Sequence, residues 1–219
     1  MKKTAKKSNQ TRGTLANIRK DNLQQILNAA EQVFAERGYR GTTIAAIADV
    51  VDLPKANILY YFKTKEGLYK EVIKRLLTLW MQHMNEMKAD SHPREALPKY
   101  ITNKIRQSQQ HPNASRIFAA EVLHGADYLR ASLQAELREQ FEQTCQVFEA
   151  WITKKWMDPI DPEHLLFMLW STTQAYADHG LQISILMGKE QLDEDDFEKG
   201  IKLLTQVTLK GCGVQPFIS

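Results

Sequence analysis

Cysteine, glycine and proline are all scarce in this sequence. Its 219 residues include two cysteines, ten glycines and seven prolines. Cys145 and Cys212 lie far apart and lack the spacing of metal ligands, which indicates a reduced, cytoplasmic setting. Because turn-forming residues are few and alternating β-branched segments are rare, the composition favours helices.

Long apolar runs are missing as well. The densest apolar stretch, LLFMLW at residues 165–170, is far shorter than the ~18 residues that a membrane-spanning helix needs. The basic N-terminus has neither the apolar segment nor the cleavage site of a secretory signal. Nucleophile elbows, P-loops, dinucleotide fingerprints and zinc-ligand spacings are also absent. We therefore expect a protein that is not an enzyme, needs no cofactor or metal, and has no membrane partner.

Positive charge is concentrated at one end of the chain. Residues 1–70 carry 13 lysines and arginines against 6 acidic residues, whereas residues 71–219 carry 16 against 20. The cations from Lys2 to Lys20 all precede the first acidic residue, Asp21. A basic end attracts a polyanion such as nucleic acid. A disordered basic tail that only aids solubility explains the charge of that segment equally well.

Helical periodicity and capping residues predict an all-α protein of nine helices. The predicted helices run from about residue 15 to Gly38, from Thr42 or Thr43 to Val51, from Pro54 to Phe62, from Thr64 towards Met87, and over residues 93–110, 112–124, 127–156, 162–187 and 193–211. We expect residues 1–14 to form a disordered basic tail, residues 15–65 a helix-turn-helix domain, and residues 66–219 a second helical domain.

The segment LPKANILYYFKTKEGLY, residues 53–69, combines cations with aromatic hydroxyl groups. Two short helices joined by a tight turn form a helix-turn-helix, whose second helix enters the major groove of DNA. Ile58 and Phe62 lie near one face of that helix and are expected to pack inward. Lysine donates to guanine, asparagine pairs with adenine, and an alanine methyl group touches thymine. The residues left at the helix start for such base contacts are Lys55, Ala56 and Asn57.

The end of the same segment is suited to the DNA backbone. The hydroxyl groups of Tyr60 and Tyr61 can donate to phosphate oxygens, while Lys63 and Lys65 add positive charge. Taken singly, these residues are better explained as half-buried core aromatics and a solvated lysine face. Taken with the basic N-terminal third and the break before Pro54, they favour DNA binding.

Residues 41–69, GTTIAAIADVVDLPKANILYYFKTKEGLY, resemble the DNA-binding domain of TetR-family repressors. The resemblance implies an all-helical, Ω-shaped homodimer with its DNA-binding domains apart and its C-terminal domains together. The motif is carried by Thr42, Ile47-Ala48, Leu59-Tyr60-Tyr61-Phe62, Lys65 and Leu68. The resemblance places Thr42 in the DNA-contacting region, phosphate contacts at Thr43, Tyr60, Tyr61 and Lys65, and base contacts at Lys55, Ala56 and Asn57.

Two residues depart from the family pattern. Asp52 stands where the family's turn usually has glycine, and it brings a negative charge close to the DNA. Aspartate also tolerates a left-handed backbone less easily than glycine does. Leu59 replaces a tyrosine that is frequent in the family, which removes one potential phosphate contact.

Two C-terminal segments resemble a narrower subgroup, the pyrimidine-responsive regulators of pyrimidine catabolism. They are HPNASRIFAAEVLHGADYL at residues 111–129 and PIDPEHLLFMLWSTTQAYAD at residues 159–178. The resemblance implies that residues 66–219 bind a ligand and that the last two helices form a four-helix dimer interface. Two-fold symmetry then implies a pseudo-palindromic operator in double-stranded DNA. The expected interface contacts are Leu165, Phe197, Ile201, Leu204 and Thr208.

A ligand-responsive regulator needs a pocket whose filling shifts its conformation. Trp170 and Gln174 share a helix face and combine a stacking surface with an amide donor and acceptor. By resemblance, these two would hold a uracil-like or other nitrogen-rich planar ring. The candidate ligand-binding residues, polar or aromatic on otherwise apolar helix faces, are Trp80, Arg116, Glu121, Trp170, Gln174 and Tyr176. Core packing of the tryptophans, and mutual pairing of Arg116 with Glu121, are the alternatives.

Two other classes of protein fit parts of the sequence. Glu121 and His124 form one Glu-x-x-His motif, half of what a di-metal helical-bundle enzyme needs, but no second such motif is present. A helical protein-interaction module with a basic tail is the other alternative. The hypothesis we favour is a ligand-responsive, dimeric, sequence-specific DNA-binding transcriptional regulator. It would act as a repressor of a catabolic or transport operon.

Overall fold

The computed structural model describes residues 4–84 and 86–214, and all regular structure in these ranges is helical. None of the helices in these ranges has the length and apolarity needed to cross a membrane. The predicted all-α class is confirmed. The helices are α1 (Thr4–Gly41), α2 (Ile44–Val51), α3 (Lys55–Phe62), α4 (Lys65–Met84), α5 (Pro93–Gln110), α6 (Pro112–Leu123), α7 (Arg130–Ser132), α8 (Arg138–Thr153), α9 (Pro162–Asp178), α10 (Gly180–Leu186) and α11 (Glu194–Gly211), with a π-helical turn, Leu133–Leu137, between α7 and α8.

The chain forms two compact units, Met1–Arg75 and Leu76–Ser219. In the first unit α1 packs against α2, and α2 packs against α3. The unit extends beyond the predicted boundary at residue 65 because apolar residues of α4 complete its core. The buried side chains of this core include Ile26, Ala30, Val33, Phe34, Ile47, Ala48, Ile58, Phe62, Leu68, Tyr69, Val72 and Ile73.

The second unit is organised around α5, which packs against both α9 and α11. Its largest fully buried side chains are Trp151, Tyr100 and Phe148, and the aromatic rings of Phe148 and Trp151 lie 5.6 Å apart. Arg106 of α5 forms an ion pair with Glu194 of α11 at 2.6 Å. Bulky aromatic side chains of α5 and α8 thus fill the centre of this core, and a surface ion pair adds a contact between α5 and α11.

The first helix begins earlier than the composition predicts. It runs back to Thr4, where a disordered tail is predicted over residues 1–14, and residues 1–3 lie outside the described residues. Lysine, alanine, glutamine and arginine are good helix formers, and extending an existing helix avoids a new nucleation step. At the other end, helical geometry breaks at Gly38 as predicted, with φ of 66° and ψ of 173°.

Two of the nine predicted helices are each divided in the structure. The segment predicted over residues 127–156 contains the π-helical turn Leu133–Leu137. The segment predicted over residues 162–187 breaks at His179, where φ is −112° and ψ is 18°. Hydrophobic periodicity does not show either feature, because one wide turn or one irregular residue leaves the apolar spacing nearly intact.

Both cysteines are buried and unbridged. Burial raises the pKa of the Cys145 thiol and of the Cys212 thiol to about 11 in each case. Both thiols are therefore protonated and poor nucleophiles at neutral pH, as expected for cysteines with a packing role.

Candidate functional site

A left-handed residue closes α2 and begins the turn to α3. Thr43 caps the start of α2, where its hydroxyl oxygen accepts a hydrogen bond from the Ala46 N–H at 3.1 Å. At the other end Asp52 has φ of 52° and ψ of 43°, and its N–H donates to the Ala48 carbonyl oxygen. Because left-handed backbone favours glycine, the aspartate holds this turn at a cost of about 1 kcal/mol. Pro54 then leads into α3 with φ of −57° and ψ of 139°.

The third helix exposes its first turn and buries one side of its last. Ile58 and Phe62 lie in the core, as the helical spacing predicts. The side chains of Lys55, Ala56 and Asn57 are exposed. Within the part of the chain that the structure describes, the side chains of Lys55 and Asn57 form no hydrogen bond or ion pair. Their polar groups are therefore available to base edges.

Tyrosine hydroxyl groups and cations follow the exposed first turn along α3. Tyr60 is 63% exposed, and its ring meets the half-buried ring of Tyr61 edge-on at 5.3 Å. The Lys63 ammonium group donates to the Tyr60 carbonyl oxygen at 3.1 Å and lies 5.5 Å from the Tyr60 ring. The Arg19 guanidinium of α1 lies 5.8 Å from the Tyr61 ring. This arrangement is suited to phosphate oxygens, and Arg19 is a member that the sequence analysis missed.

Two residues predicted to contact DNA, Thr42 and Lys65, donate hydrogen bonds to backbone carbonyl groups. Thr42 is 1% exposed, and its hydroxyl group donates a hydrogen bond to the Gly38 carbonyl oxygen at 2.8 Å. The Lys65 ammonium group donates to the carbonyl oxygens of Tyr39 and Thr42 at 2.9 and 3.0 Å. Both side chains satisfy carbonyl groups at the end of α1 or directly after it, where helix ends leave such groups without intrahelical partners. The prediction for Thr42 is wrong, and the contacts of Lys65 favour a role in positioning this connection.

Gly67 allows α4 to begin directly against the end of α3. A Cβ atom at this position would lie 2.3 Å from the Phe62 carbonyl oxygen, a distance that no side chain can occupy without backbone movement. Thr64 caps α4 as predicted, accepting a hydrogen bond from the Gly67 N–H at 2.9 Å. Because the close approach is to the backbone of Phe62, a side chain at residue 67 would displace the end of α3.

The second unit contains a cavity of about 550 Å³ with an almost entirely apolar wall. Trp80 packs on Phe118 with ring centroids 4.5 Å apart. Phe141, Phe167 and Trp170 form a second aromatic group, with centroid distances of 5.4 to 6.0 Å. The volume lies within the range of about 300–1,000 Å³ that is typical of small-molecule sites. The lining residues are Trp80, Lys104, Phe118, Val122, Leu133, Gln134, Leu137, Arg138, Phe141, Phe167, Trp170 and Gln174.

Lys104 is a buried polar residue of this cavity that the sequence analysis missed. It is 3% exposed, and its ammonium nitrogen lies 5.9 Å from the Trp80 ring. Burial lowers the Lys104 pKa to about 7, and the negative charge of Asp178 partly opposes the shift. Among the described residues, its nitrogen has no hydrogen-bond or ion-pair partner. One signal was present: Lys104 interrupts the apolar stripe of α5 between Ile101 and Ile105.

The cavity brings together three of the six predicted ligand-binding residues, Trp80, Trp170 and Gln174. Arg116 and Tyr176 line a separate cavity of about 360 Å³. Tyr176 lies six residues after Trp170, which turns it roughly 120° away around the helix. The six candidate residues therefore do not all line one cavity.

Glu121, the sixth predicted ligand-binding residue, stabilises the turn that follows α6. It is buried, and its carboxylate accepts a hydrogen bond from the Tyr128 N–H at 3.3 Å. His124 Nδ1 lies 2.6 Å from the Ala120 carbonyl oxygen, also a local contact. Among the described side chains, no group of three or more histidine, cysteine, aspartate or glutamate residues is placed to hold a metal ion. In that part of the chain the di-metal alternative therefore has no ligand set.

The predicted dimer contacts belong largely to the chain's own core. Leu165, Phe197 and Thr208 are 2%, 7% and 3% exposed, while Ile201 and Leu204 are half-buried against the same core. The prediction that these residues face a partner is wrong for the three buried ones, because Leu165 of α9 and the side of α11 that carries Phe197 and Thr208 pack within the protomer. The exposed apolar residues of α10, α11 and the residue after α10 are Leu181, Ile185, Leu186, Met187, Leu203 and Val207.

The two units match two models of one family. Residues 26–72 match the model of bacterial regulatory proteins of the tetR family, and residues 73–215 match the C-terminal region of YcdC-like proteins. The chain belongs to the TetR family. Members of this family are helix-turn-helix transcriptional regulators that bind DNA operators and small-molecule effectors as dimers, and they are not enzymes.

Individual TetR-family proteins cover most of this chain. The HTH-type transcriptional regulator RutR of Escherichia coli strain K12 is 34% identical over 186 residues, which is 85% of this chain and 88% of RutR. The HTH-type transcriptional repressor NicS of Pseudomonas putida is 25% identical over 190 residues, 85% of this chain and 90% of NicS. The structure of the ketosteroid transcriptional regulator KstR2 of Mycobacterium tuberculosis has a TM-score of 0.69 at 19% identity, covering 87% of this chain and 94% of that one.

Proposed function

We propose that this TetR-family protein is a dimeric repressor whose affinity for its operator is controlled by a small planar molecule bound in the 550 Å³ cavity. The observation that carries the proposal is the presence of Trp80, Trp170 and Gln174 in one cavity. Indole rings offer stacking surfaces, and an amide offers one donor edge and one acceptor edge. A ligand that binds one conformation of the protein more tightly than the other changes the population that binds DNA.

The effector that best suits these groups is a planar, nitrogen-rich ring such as uracil. Such a ring stacks on tryptophan and presents carbonyl and N–H groups to Gln174. The resemblance of residues 111–129 and 159–178 to pyrimidine-responsive regulators supports this class of ligand. The regulated genes would then serve the catabolism or transport of pyrimidines or related nitrogen compounds, and the protein would act in the cytoplasm, where its operator lies.

Operator recognition follows from the two groups of side chains on α3. Lys55, Ala56 and Asn57 would contact base edges in the major groove. The residues proposed to contact phosphates are Thr43, Tyr60, Tyr61, Lys63 and Arg19. Since the two protomers of a two-fold dimer present the same helix to each half-site, the operator should be a pseudo-palindrome.

An electrophoretic gel shift with the DNA upstream of the protein's own gene tests the proposal. We expect a sequence-specific complex that weakens steeply as salt rises, because phosphate contacts release bound counterions. Nucleobases and their breakdown products added to the complex should release the DNA. A complex that does not distinguish its operator from random DNA of equal length would instead favour the alternative of an interaction module with a basic tail.

The dimer surface we propose is the exposed apolar set on α10 and α11. Leu203 is 58% exposed and Val207 is 54% exposed, one helical turn apart on α11. Leu203→Asp is expected to weaken dimerisation at least about a hundredfold, because a two-fold axis places the change twice in one interface and each lost leucine contact is worth ~1.5–3 kcal/mol. Light scattering coupled to size exclusion measures the mass.

The matched control for Leu203→Asp is Lys202→Asp. Lys202 is also exposed on α11 but points about 100° away from Leu203 around the helix. Its variant should stay dimeric. If Leu203→Asp is as fully dimeric as the parent at low micromolar concentration, the interface lies elsewhere.

A further inference from the structure

The cavity holds a cation that the uracil-like interpretation leaves without a role. Lys104 projects from α5 and is 3% exposed, so it is almost wholly removed from water. Buried charges in proteins are normally paired, because the interior solvates an isolated ammonium group poorly. Within the described residues Lys104 Nζ has neither a hydrogen bond nor an ion pair. The ammonium group of Lys104 is therefore available to pair with an anionic group of a ligand.

Neighbouring acidic groups do not supply that partner. Asp178 of α9 acts on Lys104 only through its field, and its carboxylate accepts a hydrogen bond from the Ser115 hydroxyl group at 2.5 Å. The other cation of the cavity wall, Arg138, is exposed and already paired with Glu142 at 2.8 Å. Lys104 is therefore the cavity cation whose charge is uncompensated by a direct contact.

We propose that the effector is a planar ring acid whose carboxylate binds Lys104 Nζ while its ring lies against the tryptophans and its polar edge meets Gln174. This inference rests on the proposed function and narrows its ligand class from neutral nitrogen-rich rings to their carboxylates. We assign the anionic group of the ligand as a carboxylate and not a phosphate. A single ammonium group, without a fork of donors, neutralises one negative charge, whereas a phosphate group carries two. The aromatic wall requires that the rest of the ligand be flat and apolar on both faces.

The anion would also explain why the wall is otherwise so apolar. In a dry, low-dielectric site, a charge-assisted hydrogen bond is stronger than the same contact in water. Trp80 lies close enough to the ammonium group to stabilise it before the ligand arrives, through the attraction between a cation and an aromatic face. Lys104 would thus contribute to the choice of ligand as well as to its affinity.

Calorimetric titration with matched acid and neutral ligands tests the inference. The pairs are orotate with uracil, nicotinate with nicotinamide, and benzoate with benzamide, all at pH 7 on the full-length dimer. We expect at least one acid to bind about tenfold or more tightly than its neutral partner, the size of effect that charge-assisted hydrogen bonds give. Lys104→Met should reduce that preference to within about twofold while the neutral partner binds as before.

Arg138→Met is the matched control, because Arg138 is the second cation that lines the cavity. The acid preference should persist in this variant. The inference is overturned if no acid binds more tightly than its neutral partner, if the preference survives in Lys104→Met, or if Arg138→Met abolishes it.

The two proposals fail in different ways. Uracil that binds and releases operator DNA, with orotate no better, would overturn the acid ligand and leave the proposed function intact. Absence of binding by every member of the panel would overturn the acid ligand and the planar effector together. Operator binding, measured separately by gel shift, would be unaffected by either result.

Discussion

Asn57→Ala is expected to weaken binding to the operator by about thirtyfold or more and to relax base preference at one position of each half-site. An asparagine that pairs bidentately with adenine discriminates by about 1–3 kcal/mol, and the two-fold dimer makes the contact twice. The structure supports a direct effect, since Asn57 is exposed at the start of α3 and its side chain forms no hydrogen bond or ion pair within the described part of the protein. Gel shifts against a library of single-base operator variants measure both quantities.

Lys63→Ala is the matched control for Asn57→Ala. Lys63 is exposed on the same segment, but it follows the tyrosines and lies where the DNA backbone is expected. Its removal should weaken all operator variants alike and lower the salt dependence of binding by about one ion per lysine removed. Equal loss of base preference in the two variants would contradict the division of α3 into a base-reading start and a backbone-binding end.

The helix-turn-helix could be predicted from the sequence because its signals are local. Ile58 and Phe62 are four residues apart, so their burial follows from helix geometry alone and leaves Lys55 to Asn57 exposed. The functions of Thr42 and Lys65 could not be predicted in this way. Their partners are carbonyl groups at Gly38 and Tyr39, which become available only because helical geometry breaks at Gly38.

The proposed dimer surface shows a different limit of sequence reasoning. α11 carries two apolar stripes, and periodicity identifies both without saying which one faces the chain's own core. Phe197 and Thr208 belong to the stripe that packs within the protomer, whereas Leu203 and Val207 are exposed. Only the placement of α5 against α11 distinguishes the two stripes.

For a related reason, only some of the residues that line the cavity could be predicted from the sequence. Trp170 and Gln174 share a face because they are four residues apart, and both line the cavity. Arg116 and Glu121 do not line this cavity. A polar residue on an apolar helix face can bind a ligand, a neighbouring side chain or a backbone group, and the sequence alone does not distinguish these partners. Lys104 was overlooked because the sequence of its helix is typical of an ordinary core helix. A lone cation in an apolar stripe is nevertheless informative, because burying a charge without a partner is unfavourable and indicates a functional role.

Lys104→Met is expected to stabilise the ligand-free protein, by several kcal/mol at pH 7. Burial lowers the pKa of Lys104 to about 7 in the folded protein, from its ordinary value of 10.5. Between these two pH values the unfolded chain binds the proton and the folded protein does not, so the stability of the parent rises with pH across this window. The slope is about 1.4 kcal/mol per pH unit, and it levels off above the unfolded pKa. Methionine has similar length and no charge, so the variant lacks this dependence.

Denaturant unfolding of the second unit at pH 7, 8.5 and 10 measures the difference between the two proteins. The advantage of Lys104→Met should be largest at pH 7 and should shrink towards pH 10. Lys99→Met, which changes an exposed lysine on the same helix, should show no such trend.

A difference that does not change with pH would mean that Lys104 is hydrated in the folded protein. The expected trend would instead show that the native residue lowers stability in the absence of ligand. Binding of an anion would restore that stability, since a partner for the ammonium group raises its pKa again.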